Sequence, residues 1–182
     1  MPFSPILPVF RSSLAHCAAF SLLGGLACAA PVGAQSLAPP PGNTLFLHTF
    51  GNGIQIYHSQ SVGGTLRWVF FAPSATLYAN SSEAVAVATH YTGPTWQLND
   101  DGSRVVGKML VSAPSATPGS IPQLLLAAKS HAGPGVFGRV SFVQRLDTVG
   151  GSAPAAAPTA LGQEADVPYK ATYNFFFASA GR

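Results

Sequence analysis

The chain is 182 residues long, 47% hydrophobic and only 8% charged, where a soluble domain ordinarily carries about a quarter charged residues. That length holds one domain with a sizeable core and would leave two independent ones cramped. Nine Lys/Arg against six Asp/Glu give a net charge of +3, or +2 without Arg11, too small an excess to hold nucleic acid.

Residues 1–34 read as a secretory signal. Arg11 gives a positive start, Cys17 to Ala30 is an apolar run, and Val32-Gly33-Ala34 supplies small residues before Gln35. Cleavage is expected after Ala34, giving a secreted or periplasmic product. The rival reading is a lipoprotein site at Leu26-Ala27-Cys28, with Gly25 where such sites usually have Leu. The run falls short of the ~18 apolar residues of a membrane helix, and no later segment is long enough, so no transmembrane anchor is expected after cleavage. Both cysteines, Cys17 and Cys28, lie in this leader. The mature part is therefore expected to lack disulfides, thiolate metal sites and cysteine nucleophiles.

Residues 35–43, with Pro39-Pro40-Pro41-Gly42, are an extended Pro-rich lead-in, and residues 44–182 a single β-domain. Ile54 to His58, Arg67 to Phe71 and Val85 to Tyr91 alternate with the period of half-buried strands. Trp68 and Phe70 share one face of the second of these and are expected in the core. His90 shares the smaller face of the third with Ala86 and Ala88. Asn99-Asp100-Asp101-Gly102 followed by Arg104 to Ser112 is the best hairpin signal. Residues 113–120 and 150–160 read as surface loops, and Leu124-Leu125-Leu126-Ala127-Ala128 as either a buried strand or a short helix. Arg139 to Asp147 alternates again. In the last strand Tyr169, Ala171, Tyr173, Phe175 and Phe177 share a face that should be core, opposite Lys170, Thr172 and Asn174. About eight strands, punctuated by 19 Gly and 16 Pro, predict an all-β fold, either an antiparallel β-sandwich or a closed β-barrel.

Residues 90–103 hold the most chemistry. If the turn returned the chain, His90 with Asp100 or Asp101 would make a general base and Ser103 a nucleophile, the constellation of a hydrolase. Against it, Asp-Asp-Gly is what turn geometry alone selects, and His90 among alanines suits a structural role. No metal is expected: His48, His58, His90 and His131 lack close pairing, and the acidic turn read as a calcium loop would end on Lys108 rather than Glu. Gly133-Pro134-Gly135-Val136-Phe137-Gly138 has dinucleotide-binding spacing, but a strand follows it instead of a helix and Pro134 removes an amide. A Gly-rich connection is the reading kept, with no cofactor. Trp96 follows the Gly93-Pro94 turn and is expected to be partly exposed, so that with Tyr91 it can stack on a ligand. Arg145 and Asp147 share a strand face; they either pair as ions or, with Arg139 and Ser141, line a polar barrel interior suited to an anionic or polar ligand. Asn80-Ser81-Ser82 is a glycan acceptor in a eukaryotic host.

An ordered set of fragments then becomes recognisable. It comprises Pro40-Pro41-Gly42-Asn43, Gly53-Ile54-Gln55-Ile56-Tyr57, Trp68 with Pro73-Ser74-Ala75-Thr76-Leu77, and His90-Tyr91-Thr92-Gly93-Pro94-Thr95-Trp96. Asp101-Gly102-Ser103, Gln144-Arg145, Thr148 to Pro154 and Val167 to Tyr173 complete it. Together they resemble the secreted family catalogued as domain of unknown function 3455, found in bacteria and fungi. The resemblance implies export and a compact β-domain, with no established activity to transfer. It also implies a cysteine pair, one after the Gln-Ile-Tyr stretch and one in the loop before the final strand, where this chain has Ser59 and the cysteine-free residues 155–165. The expected function is a non-enzymatic small-ligand-binding or envelope-associated module, its partner a small molecule or glycan. The alternative is the His90 hydrolase.

Overall fold

The computed structural model describes residues 36–179, so the leader, its cleavage point and Cys28 lie outside the described residues. Eight strands follow in chain order: β1 Asn43–Val62, β2 Thr65–Tyr78, β3 Ala86–Tyr91, β4 Thr95–Leu98, β5 Arg104–Ala113, β6 Gln123–Ala132, β7 Val140–Gly150 and β8 Glu164–Ala178. Each pairs antiparallel with the next, and β8 returns to pair with β1 from Asn43↔Ala178 to His58↔Glu164. The sheet is therefore a closed barrel, which settles the choice left open between sandwich and barrel. The leucine run is extended and belongs to β6, hydrogen-bonded to β5 on one side and β7 on the other.

The two-residue alternation places the core. Tyr169, Ala171, Tyr173 and Phe175 of β8 all point inward and are buried, meeting Leu77, Trp96, Val105, Leu126 and Val143 in one cluster. Phe177 packs only on the edge of that cluster, stacked on Phe46 at 4.2 Å. β1 serves both neighbours and must curve tightly to do so. A Cβ at Gly53 would collide with the Ser74 carbonyl oxygen and sit 2.5 Å from Ala75 Cα, so only glycine lets β1 and β2 approach this closely.

Two expectations fail where bulges break the alternation. Trp68 is half-buried, its indole N–H donating to Ala156 O at 2.9 Å, and Phe70 is 51% exposed. The β1–β2 register slips opposite Ile56 and Tyr57, pairing them with Ala72 and Phe70, so that Phe71 is the extra residue and both phenylalanines turn to the surface. The polar lumen is also absent in the form expected. β7 slips against β8 between Val140 and Phe142 and again between Leu146 and Val149. Arg139 therefore lies over the Phe177 ring, Ser141 donates to Asn43 Oδ1, and Asp147 sits at positive φ, exposed, accepting from Thr172 Oγ1. Of those four residues Arg145 alone borders the interior cavity described below, and it forms no ion pair with Asp147.

One end of the barrel is plugged by a short 3-10 turn, Val136–Arg139, whose Phe137 is fully buried and stacks on Phe175 at 4.7 Å. This is the segment with dinucleotide-binding spacing. It has no helix behind it, and Gly135 is required because a Cβ there would collide with the Asp101 carboxylate, at a φ of 138°.

Candidate functional site

The other end is open because two strands are short. β3 has six residues and β4 four. β2 pairs with β3 only from Ala75 onward, and β4 pairs with β5 only as far as Thr95↔Val106. Beyond the 92–94 turn, β2 and β5 run on with nothing among the described residues hydrogen-bonded between them, and there a panel of the wall is missing.

A cavity of about 320 Å³ fills that gap. Its rim is apolar: Phe70 and Phe71 of β2 and Met109 of β5 are 51%, 57% and 58% exposed, and Pro94, Pro122 and Leu124 continue the lining. Its inner surface carries Gln55, Tyr57, His90, Trp96 and Arg145. Burying so many large apolar side chains only partway is costly for a surface with no occupant, and a concave apolar site with a few polar groups is the usual form of a small-molecule site.

The polar groups of that inner surface are unevenly satisfied. Tyr57 donates its hydroxyl to Gly151 O at 2.7 Å. His90, 3% exposed, has Nδ1 2.9 Å from Thr95 O, so Nδ1 carries the proton and donates, leaving Nε2 as the ring's acceptor. Its imidazole lies flat on the Trp96 ring, centroids 4.4 Å apart and planes 4° from parallel, with Tyr173 edge-on. Burial lowers the His90 pKa to about 3, the Thr95 carbonyl opposing and the Arg145 charge adding to the effect. Arg145 gives Nε and Nη2 to Pro122 O at 3.2 and 2.9 Å and lies beside the Tyr173 hydroxyl. Tyr169 and Tyr173 join hydroxyls at 2.9 Å, and burial raises the pKa of both. Among the described residues two buried donors have no partner: Gln55 Nε2, which lies near the Tyr169 hydroxyl without hydrogen-bond geometry, and Trp96 Nε1.

The residues singled out in the sequence are scattered over this frame. Trp96 and Arg145 line the cavity, but Trp96 is 1% exposed rather than open to solvent. The Gly93-Pro94 turn ends one residue before β4, and pairing with His90 and Val105 carries Trp96 inside. Tyr91, one residue from His90, faces the outside, donating to Gln97 Oε1 at 3.0 Å and bordering a separate depression with Asn52 and Thr89. Asp147 lines neither.

The hydrolase constellation is not assembled. No carboxylate lies within ion-pair distance of His90 among the described residues, and an imidazole held at a pKa of about 3 is a poor base near neutrality. Asp100 sits on the exposed turn. Asp101 and Ser103 do meet, at 2.5 Å, but as a latch at the plugged end: Asp101 Oδ2 accepts from Val136 N at 2.8 Å and Ser103 Oγ from Phe137 N at 3.0 Å. The Ser103 hydroxyl holds the Asp101 carboxyl below its ordinary pKa, as do the amides of Val136 and Ser103. His48, His58 and His131 are dispersed over Asn174, Glu164 and the Val140 carbonyl.

Sequence reasoning missed Gln55, whose signal was present but inverted. β1 reads Ile-Gln-Ile-Tyr-His-Ser, an alternation in which the isoleucines would ordinarily be the inward residues. In the barrel Gln55, Tyr57 and Ser59 are buried while Ile54 and Ile56 are only half-buried.

The family model described as "Protein of unknown function (DUF3455)" matches residues 40–177. No curated protein and no solved structure matches the chain.

Proposed function

The chain belongs to the family of proteins of unknown function DUF3455, and from that premise we propose that it is a non-enzymatic barrel that holds a small, mainly apolar molecule in the cavity between β2 and β5. The observation that supports this is the missing wall panel, which leaves Phe70, Phe71 and Met109 exposed around an enclosed inner surface. A cavity of about 320 Å³ suits a small molecule better than a glycan chain. We further propose that the protein works outside the cytoplasm, secreted or periplasmic, on the strength of the leader in residues 1–34; N-terminal sequencing of exported protein should then begin near Gln35.

Octanol is a neutral probe of the right size. Each buried methylene contributes about 0.8 kcal/mol, offset by the cost of association, so octanol should bind one-to-one with a Kd between about 1 μM and 1 mM and raise the melting temperature. Met109→Trp, at an exposed rim position, should close the entrance and abolish binding. Octanol binding that is absent, or unchanged by the tryptophan, would remove the reading.

A further inference from the structure

Building on that small-molecule reading, we propose that the ligand is an amphipathic carboxylate. Its anionic head meets Arg145, and its apolar body lies under Phe70, Phe71 and Met109. Among the residues that line the cavity, Arg145 is the one that carries a full charge. Arg145 has five guanidinium N–H bonds and spends two nitrogens on one neutral carbonyl, that of Pro122. The ion pairs among the described residues are His58–Glu164 and Lys170–Glu83, so no carboxylate of the described chain neutralises Arg145. Gln55 Nε2 and Trp96 Nε1, unpartnered among the described residues, are closed to a water-sized probe and do not open on the cavity.

A cation set against apolar surroundings ordinarily finds an opposite charge. The unneutralised Arg145 calls for acceptors for the N–H bonds it does not spend on Pro122 O, and for one negative charge. A carboxylate supplies both: two oxygens with about four lone-pair sites, in a plane that matches the guanidinium fork. An amine head would be repelled by Arg145 and would bring further donors. An alcohol would leave the cation unneutralised.

Isothermal titration of the purified protein with octanoate, octanol and octylamine separates the two levels of the proposal. Octanoate should bind at least about tenfold more tightly than octanol, the difference expected of charge-assisted hydrogen bonds, and octylamine most weakly. Arg145→Gln should bring octanoate down to the affinity of octanol. Arg145→Lys, which keeps the charge without the fork, should fall between. The wild-type comparison alone decides the matter even if a variant does not fold. Octanol bound as tightly as octanoate overturns the anionic head and leaves the small-molecule reading standing, whereas none of the three probes binding overturns both.

Discussion

His90 shows how far a residue can be read from its neighbours. Ala86 and Ala88 on its face point to a packed, structural histidine, and the structure finds it stacked on Trp96 and tied to Thr95 O. Its stacking partner was not legible, because a tryptophan two residues after a Gly-Pro turn looks like a loop residue until the register is known. The sign of its pH dependence follows from burial. Its folded pKa of about 3 lies below the ordinary 6.5, so the unfolded chain takes up a proton as pH falls below 6.5 while the folded chain does not. Stability is full above pH 6.5 and falls toward pH 3 by about 1.4 kcal/mol per pH unit. Glu83, held below its ordinary 4.5 by the Lys170 and Asn52 hydrogen bonds, and Asp101, held low by Ser103, add the same sign, but only at the acid end. Between pH 6.5 and 4.5 the slope should therefore come largely from histidine. His90→Asn keeps a donor for Thr95 O and should flatten that slope in urea-unfolding titrations; an unchanged slope would show that His90 does not stay neutral in the folded protein.

At the scale of elements, β1 carries the most information, and its inward face was left unassigned by its alternation. Its alternation was legible, but its polarity is inside out, with Gln55, Tyr57 and Ser59 buried. That inversion of an ordinary strand is where local rules give way to a site. Ser59 also explains how the chain manages without the cysteine pair that the family resemblance implies. Its Oγ donates to Ala160 O at 2.6 Å and accepts from Gln163 N at 2.9 Å, and its own amide donates to Gln163 O at 2.8 Å. The loop before β8 is thus tied down at Ser59 by hydrogen bonds. If this tether occupies the place of a lost crosslink, Ser59→Cys with Ala160→Cys should oxidise spontaneously and raise the melting temperature by several degrees, since closing a loop of about 100 residues constrains the unfolded chain. Reductant should reverse the gain. A pair that stays reduced in air would mean the two positions are not juxtaposed as a disulfide needs.

At the scale of the whole molecule, strand number and the all-β class were legible because period-two patterning and Gly/Pro punctuation are local. Closure was not, since a barrel and a sandwich share the same alternation and differ in which strands pair, above all β1 with β8. Nor was the cavity legible, because it arises from a mismatch in length: the ten residues of β3 and β4 stand between strands of fourteen and ten. This gives the barrel two unlike ends, one latched over Phe137 by Asp101 and Ser103 and one with a missing panel. Local opening follows from where backbone bonds are few. Amides of β8 in the 169–175 stretch, paired with β1 on one side and largely with β7 on the other, should exchange with solvent only on global unfolding. Those of β3, β4 and the gap-facing edge of β2 before Ala75 should exchange at least about a hundredfold faster, in keeping with the spread between core and margin. Octanoate should slow exchange along that edge while leaving the latched end unchanged. Uniform exchange around the barrel would mean that the wall is closed in solution, and the cavity would lose its entrance.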